Sequence, residues 1–381
     1  MMVPDAPFHH VDALDEGAVG SAADDRAPPQ GLAENALLRW SYVSMPLTLR
    51  DVAAHAGVSP ATVSRTLNGD ARVAAQLRAR VEASVEDLGY RRNMLARSLR
   101  LRRLDAIGVM VSDIENPHFS EMVKIIEHQS SKAGYRVLVC GTNESRDKQR
   151  VYLRMLADER VAGVILSPTD PAGPEIGDLL DAGIPVVAFD REVSDPRVDT
   201  VIADNVSGSA AATNLLIDYG HSDIAFVGGG RGVETSIERL TGYKRAMRSA
   251  GLTARTAIGH FRIEGGRRAV AELLTAETPP TAVIVANNLM TLGAIKAAHD
   301  AKVRIPGNLS LVGIDNPYWS EFVNPPITSL AQPVAEMARE AIEMLLTRLD
   351  GDASLPRRSV HALDLVVRDS ASPLKTTRRA R

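Results

Sequence analysis

The sequence predicts an α/β protein in which three short helices precede a larger core of parallel sheets arranged in two lobes. Three observations lead there. Residues 47–90 carry helical periodicity with caps and a glycine turn. From Leu104 onward short apolar runs alternate with helical stretches, the pattern of parallel strands covered by helices. That alternation continues to about residue 370, a length that suits two sheets better than one.

The chain has 381 residues, 45% hydrophobic and 24% charged, enough for two or three domains of ordinary globular composition. A formal charge of -3 conceals an uneven distribution. Between Leu47 and Leu104 eleven arginines face five acids, which implies a polyanionic partner. Residues 1–46 hold two basic and seven acidic residues. Their lack of periodicity and their Ala, Asp, Pro and Gly content predict a disordered extension, with Met45 a candidate translation start. No apolar run is long enough to cross a bilayer, and the N-terminus lacks a basic start followed by an apolar stretch, so a cytoplasmic protein is expected. The one cysteine, Cys140, reads as a buried thiol at a strand end. His9-His10 has no companion ligands, and neither a metal nor a cofactor is expected.

The first helix spans Leu49–His55, with Thr48 as its N-cap and Gly57 as the left-handed turn residue beyond it. Ser59 caps the second, and Pro60 occupies its first position, where a missing N–H costs nothing. That helix reaches Leu67 and ends at Asn68-Gly69. The third covers Ala75–Leu88, with Leu77, Val81, Val85 and Leu88 on one face and Gly89 after it.

Small Ala53 lets the first two helices cross closely, Gly57 makes the turn, and Val52, Val58 and Val63 form the wedge between them. This is helix-turn-helix chemistry, in which the second helix lies in a DNA major groove. The predicted outer side carries Pro60, Ala61, Thr62, Arg65 and Thr66. Arg65 suits bidentate contact with a guanine edge. Ser59, Thr62, Ser64 and Asn68, with Thr48, suit phosphate contacts that fix register. A glycine turn alone would fit any helical hairpin. Its combination with the wedge, the polar outer face and the local charge points to DNA.

The segment Leu47–Arg100 resembles the headpiece of the LacI/GalR family of bacterial regulators. The likeness is carried by Thr48-Leu49-Arg50-Asp51-Val52-Ala53, Gly57-Val58-Ser59, Ala61 through Asn68, Leu88-Gly89-Tyr90 and Ala96 through Arg100. It extends over nearly all of residues 47–369. The resemblance implies base-reading positions at Pro60, Ala61 and Arg65. Ala74 departs from the usual Ser or Thr cap, and Arg92 replaces a common proline before the hinge.

Residues 93–103 are expected to form a hinge. A helix over Asn93–Arg100, capped by Asn93, is too short to be stable alone and should fold only against DNA and a second copy. From its residues, Leu99 reads equally as a linker contact. The resemblance makes it a wedge into the minor groove at the operator centre, beside Arg100.

The resemblance also implies a periplasmic-binding-protein-like core over residues 104–370, one lobe comprising 104–204 with 332–351 and the other 205–331 with 355–370. Residues 371–381 form a basic tail without a heptad run, which favours a dimer. Predicted strands include Ile107–Val111, Arg136–Cys140, Val161–Leu166, Pro185–Phe189, Ile224–Val227, Ala282–Ala286 and Leu309–Ile314; predicted helices include Phe119–Lys132, Val206–Tyr219, Glu238–Ala250 and Met290–His299. Ligands in such folds bind beyond the C-terminal ends of strands. The loops there hold Asp113, Asn116, Asp190-Arg191, Ser236, Asn287-Asn288 and Asp315-Asn316, with Phe261 and Trp319 as apolar faces. Acid, amide and arginine groups suit a hydroxyl-rich ligand. By resemblance, His118, Phe119, Asp190, Thr235, Arg239, Phe261, Asn287 and Asp315 fall at effector positions. Turn or capping roles are the alternative for each, and Asn288 stands where Asp is frequent. The run Gly228–Gly230 lacks a P-loop ending and reads as a strand-to-helix turn.

No nucleophile, base and oxyanion set stands out, so no enzyme is expected. A transport solute-binding protein would need a signal peptide and no basic head. A sugar-acting enzyme would need a catalytic constellation, and a nucleoid-type binder would lack duplex preference. The expected function is a repressor that binds a pseudo-palindromic double-stranded DNA operator as a homodimer, controlled by a small sugar-like effector.

Overall fold

The computed structural model describes residues 47–67, 72–90, 104–230 and 232–374. The expectations for residues 1–46, for the hinge at 93–103 and for the tail at 375–381 lie outside the described residues. The chain divides into two compact units, Met1–Asn93 and Met94–Arg381.

In the first unit three helices, α1 (Leu49–Ala56), α2 (Pro60–Leu67) and α3 (Ala75–Asp87), enclose a small core of Val52, Ala53, Ala56, Val63, Val81 and Tyr90. Thr48 and Asp51 form a capping box: Thr48 N donates to Asp51 Oδ2 at 2.7 Å, and Asp51 N to Thr48 Oγ1 at 3.4 Å. Gly57 sits at φ 62° and closes α1, a conformation costly to any residue with a β-carbon. From α3, Arg80 donates to the Ala56 carbonyl at 2.6 Å and clamps the turn. The Ala74 side chain offers no cap hydrogen bond to α3.

The second unit has two six-stranded sheets. The first follows the order β11-β5-β4-β3-β1-β2. Its strands are β1 (Ala106–Val111), β2 (Arg136–Gly141), β3 (Gly163–Leu166), β4 (Val186–Phe189), β5 (Asp199–Ala203) and β11 (Arg358–His361). It is covered by α4 (Pro117–Lys132), α5 (Arg146–Asp158), α6 (Pro174–Asp181) and α11 (Val334–Leu349). The second follows the order β12-β10-β9-β8-β6-β7. It comprises β6 (Ile224–Gly228), β7 (Arg255–Ile258), β8 (Ala282–Val285), β9 (Ser310–Ile314), β10 (Thr328–Ala331) and β12 (Asp364–Val366). Its helices are α7 (Asn205–Asp218), α8 (Glu234–Ser249), α9 (Ile263–Leu274) and α10 (Asn288–Asp300).

All pairings are parallel except β10 with β12. The interior strands β1, β3, β4, β6, β8 and β9 are buried throughout, which explains their unbroken apolar runs. The α/β fold with two parallel-sheet lobes is as expected. One boundary differs. Arg358–His361 pairs with β5 in the first sheet, although residues 355–370 were assigned to the second lobe. Three polar residues in four hide this strand, and its pairing comes from β5.

The chain passes between lobes after β5, β10 and β11. At the other end of the first sheet Asp199, buried at the start of β5, accepts from Arg348 Nε at 2.7 Å, Arg348 Nη2 at 3.0 Å and Arg357 N at 2.7 Å.

Candidate nucleic-acid interface and ligand cleft

The second helix of the head divides as a recognition helix requires, with one correction. Val63 is fully buried against α1 and α3, while Ser59, Pro60, Ala61 and Arg65 are exposed. Thr62 and Ser64 are half-buried at the margins. Ser59 caps α2 by accepting from Thr62 N at 3.1 Å. Thr66, expected on the outer side, is instead buried and donates to the Thr62 carbonyl at 2.9 Å. It follows Val63 by three residues and so shares its face. Asn68, Asn93, Leu99 and Arg100 lie outside the described residues.

In the second unit the loops beyond the C-terminal strand ends meet in one cleft between the lobes. His118, Phe119 and Asp190 line it from the first lobe. Thr235, Arg239, Phe261, Asn287 and Asp315 line it from the second. The structure therefore brings all eight predicted residues around one cavity. The lobes meet beside it through hydrogen bonds from Arg262 to Asp113 and from Asn288 to Asn116.

Several lining residues hold backbone conformations that non-glycine residues rarely adopt. Asp190 has φ 68°, Asp315 73°, Glu144 60°, His260 54° and Phe261 56°. Such conformations persist where surrounding structure enforces them, and they cluster at functional sites. At Gly229 the enforcement is visible: a β-carbon there would lie 2.1 Å from the Phe261 ring. Ser236 accepts from the N–H groups of Gly229 and Gly230 at 3.0 and 3.2 Å, so the glycine run is a capped turn.

The polar side chains are held firmly. Arg239 is buried, donating through Nε to Asn205 Oδ1 at 2.7 Å and through Nη1 to the Ala286 carbonyl at 2.6 Å. Asp315 accepts from Gln332 Nε2 at 2.7 Å and Asn288 Nδ2 at 3.1 Å. Asn288 also reaches across the lobes to Asn116 Oδ1 at 2.8 Å, so its amide serves as a bridge. Asn287 lines the cavity, yet its side-chain oxygen caps α10 by accepting from Met290 N. His118 is buried, with Nε2 3.7 Å from Asp190 Oδ1 and neither ring nitrogen hydrogen-bonded.

Further lining residues were not singled out as effector positions. Arg191 forms a forked pair with Glu144, at 2.8 and 2.6 Å. Burial pulls the Arg191 pKa down, but the Glu144 hydrogen bonds and charge more than offset this and hold it above the ordinary value. Arg262 donates to Asp113 at 2.9 Å across the lobes. Burial pushes the Asp113 carboxyl up despite that arginine. Trp319 packs on the core of the second lobe and is not among the cavity residues. No group of described residues could hold a metal ion, and no described helix is long and apolar enough to cross a membrane.

The comparisons match both units. The profile described as "Bacterial regulatory proteins, lacI family" covers residues 48–93, and one described as "Periplasmic binding protein-like domain" covers 213–371. The HTH-type transcriptional repressor PurR of Vibrio atlanticus (strain LGP32) is 35% identical over 307 residues, 79% of this chain and 92% of that protein. The chain belongs to the LacI family. It is a DNA-binding transcriptional regulator with a small-molecule effector domain. Two solved LacI-family structures resemble it over most of its length. The Lac repressor dimer bound to operator and the anti-inducer ONPF has a TM-score of 0.76 at 26% identity, covering 86% of this chain and all of that one. The CelR–cellobiose complex has a TM-score of 0.65 at 32% identity, covering 85% and 100%.

Within this LacI-family core the residues that escaped sequence reasoning follow particular strands. Glu144 follows β2, His260 and Arg262 follow β7, and Gln332 follows β10. The strand-end rule would have found Glu144. The others needed β7 and β10, whose mixed sequences Arg-Thr-Ala-Ile and Thr-Ser-Leu-Ala give no apolar run.

Proposed function

We propose that the protein is a cytoplasmic repressor that binds a pseudo-palindromic operator as a homodimer, and that a small hydroxyl-rich effector in the interlobe cleft controls it. The observation that carries the DNA half is the exposed Arg65 on a helix whose opposite face is locked by Val63. In this reading Pro60, Ala61 and Arg65 face base edges. Thr48, Ser59, Thr62, Ser64 and Asn68 hold phosphates. Asn93, Leu99 and Arg100 belong to a hinge helix that enters the minor groove. Two heads of a dimer would occupy successive major grooves.

The cleft supplies the control. Asp190, Asp315 and Arg239 converge from both lobes, so a ligand that touches all three changes the energy of lobe closure. Closure alters the spacing of the two hinge starts, and hinge helices that depend on pairing then form or melt. DNA and effector affinities are reciprocally coupled. A disaccharide in the CelR complex agrees with a polyol ligand.

Selection from random duplexes, with and without a panel of sugars, nucleosides and phosphorylated metabolites, tests this. Enrichment of a symmetric site whose occupancy responds to one metabolite is expected. Equal retention of all duplexes under every condition would refute it.

A further inference from the structure

We propose that Arg80, on the third helix of the head, is a positioning residue for base reading: it fixes the Gly57 turn from the solvent side and so sets how α2 is aimed. This rests on the reading of α2 as the recognition helix and names a residue that acts through it.

The connection between α1 and α2 is short. Only Gly57, Val58 and Ser59 separate Ala56 from Pro60. Rotation at any of them swings the whole of α2, and with it the exposed Pro60, Ala61 and Arg65. Glycine has the widest choice of backbone angles of any residue, so a glycine turn is aimed by what surrounds it. On the core side the aim is set by Val52, Ala53, Ala56 and Val63, which pack together with Val81.

The solvent side is held differently. The Ala53 and Ala54 carbonyls accept from Val58 N at 3.0 Å and Gly57 N at 3.3 Å, which closes α1. The Ala56 carbonyl lies beyond that closure. Its helical partner four residues on would be Pro60, which has no N–H. Neither it nor the Gly57 carbonyl accepts from a backbone N–H among the described residues.

Arg80 supplies the donor that both lack. Its Nη2 lies 2.6 Å from the Ala56 oxygen and 3.4 Å from the Gly57 oxygen. The cation thereby sits at the negative end of the α1 dipole. A β-carbon on Gly57 would lie 2.8 Å from that nitrogen, so the glycine also leaves room for the guanidinium. The stretch of α3 that carries Arg80 is itself anchored: Val81 and Ser84 are buried, and Ser84 Oγ donates to the Arg80 carbonyl at 2.9 Å. With the Thr48–Asp51 capping box at its start, α1 is held at both ends, and its exit toward α2 is held from α3.

Arg80 is exposed, so this contact adds little to the stability of the head. Its effect on aim is larger in proportion. A bidentate base contact needs both hydrogen bonds within a narrow range of distance and angle. Phosphate contacts carry no sequence information and tolerate a small shift of the helix.

The experiment uses the full chain, the duplex that wild type enriches in the selection above and a scrambled duplex of the same composition, titrated over a range of salt concentrations. Urea unfolding sets a temperature at which the head of each variant is folded. Arg80→Met keeps the apolar stem and removes the donor, and the ratio of enriched to scrambled affinity should fall about tenfold, within the range for one misaimed bidentate contact. Scrambled-duplex affinity should stay within about twofold of wild type. Arg80→Lys retains a charged donor and should recover most of the ratio. In an Arg65→Ala background Arg80→Met should change the ratio by less than about threefold, because the contact it aims is already gone. An unchanged ratio for Arg80→Met would overturn the proposal. So would equal weakening on both duplexes with a salt slope smaller by about one, which would make Arg80 a phosphate contact. Should Arg80→Met fail to fold, Arg80→Gln takes its place under the same expectations, and a head that folds with neither would make Arg80 a stability residue and overturn the proposal as well. If wild type itself enriched no duplex, the recognition-helix reading would fall first.

Discussion

Arg262 Nη1 donates to Asp113 Oδ2 at 2.9 Å, and this contact ties the loop after β7 in one lobe to the loop after β1 in the other. Two more bonds span the same seam, from Asn288 to Asn116 and from Glu192 N to Glu234 Oε2 at 2.9 Å. The closed cleft is thus held by the protein's own contacts.

Arg262→Ala should loosen that closure. The arginine is partly exposed, so the pair is worth about 1 kcal/mol rather than a buried-pair value. Effector affinity should fall roughly fivefold. Amide exchange over residues 112–118 should quicken in ligand-free protein; unchanged exchange would mean the other two bonds suffice.

Thr48→Ala removes half of the capping box and should cost the head about 1 kcal/mol. Ala74→Ser, at a helix start without a side-chain cap, should return a similar amount. Urea unfolding followed by helix signal on the full chain would resolve the head transition for both variants.

Asp199 links β5, α11 and the approach to β11, and Arg348→Ala would leave its carboxylate buried with its main partner gone. A loss of about 3–5 kcal/mol is expected. Burial pushes the Asp199 carboxyl up, but the Arg348 hydrogen bonds, the Arg357 N–H and both charges outweigh it and hold it below the ordinary value. Its stabilisation is therefore complete above the unfolded carboxylate pKa of about 3.9 and is lost as pH falls toward the folded one. Acid unfolding of Asp199→Asn should lose that part of the pH dependence.

His221 tests the opposite side of the core. It is buried, with Nδ1 2.9 Å from Thr281 Oγ1 and Nε2 3.1 Å from the Ser372 carbonyl, and burial lowers its pKa. The unfolded chain then binds the proton more readily, so stability should decline as pH falls below about 6.5. Thermal midpoints between pH 7 and 5 should drop less for His221→Gln than for wild type.

Arg65→Ala should relax specificity at one base pair in each half-site, at about 1–3 kcal/mol per site. Uniform weakening on every duplex would instead assign Arg65 to a phosphate.

The head and the ligand cleft were legible to different degrees. Thr48, Gly57 and Ser59 act through neighbours three or four residues away, so caps and turns could be read directly. Thr66 was misplaced because polarity was weighted above its position three residues after buried Val63. Seven of the eight effector candidates follow strand ends or begin the next element, Arg239 lies in the second turn of α8, and all eight reached one cavity.

Local order is enough to determine caps, turns, helix faces and fully buried strands, since each depends on residues close along the chain or on unbroken apolarity. Tertiary structure alone decided that Arg358–His361 joins the first sheet, that Arg191 is neutralised by Glu144, and that Arg262 meets Asp113. These pairs stand 47 to 158 positions apart. Their partners are chosen by the folding of two sheets toward one seam, where a charge can remain buried only if an opposite charge arrives from elsewhere in the chain.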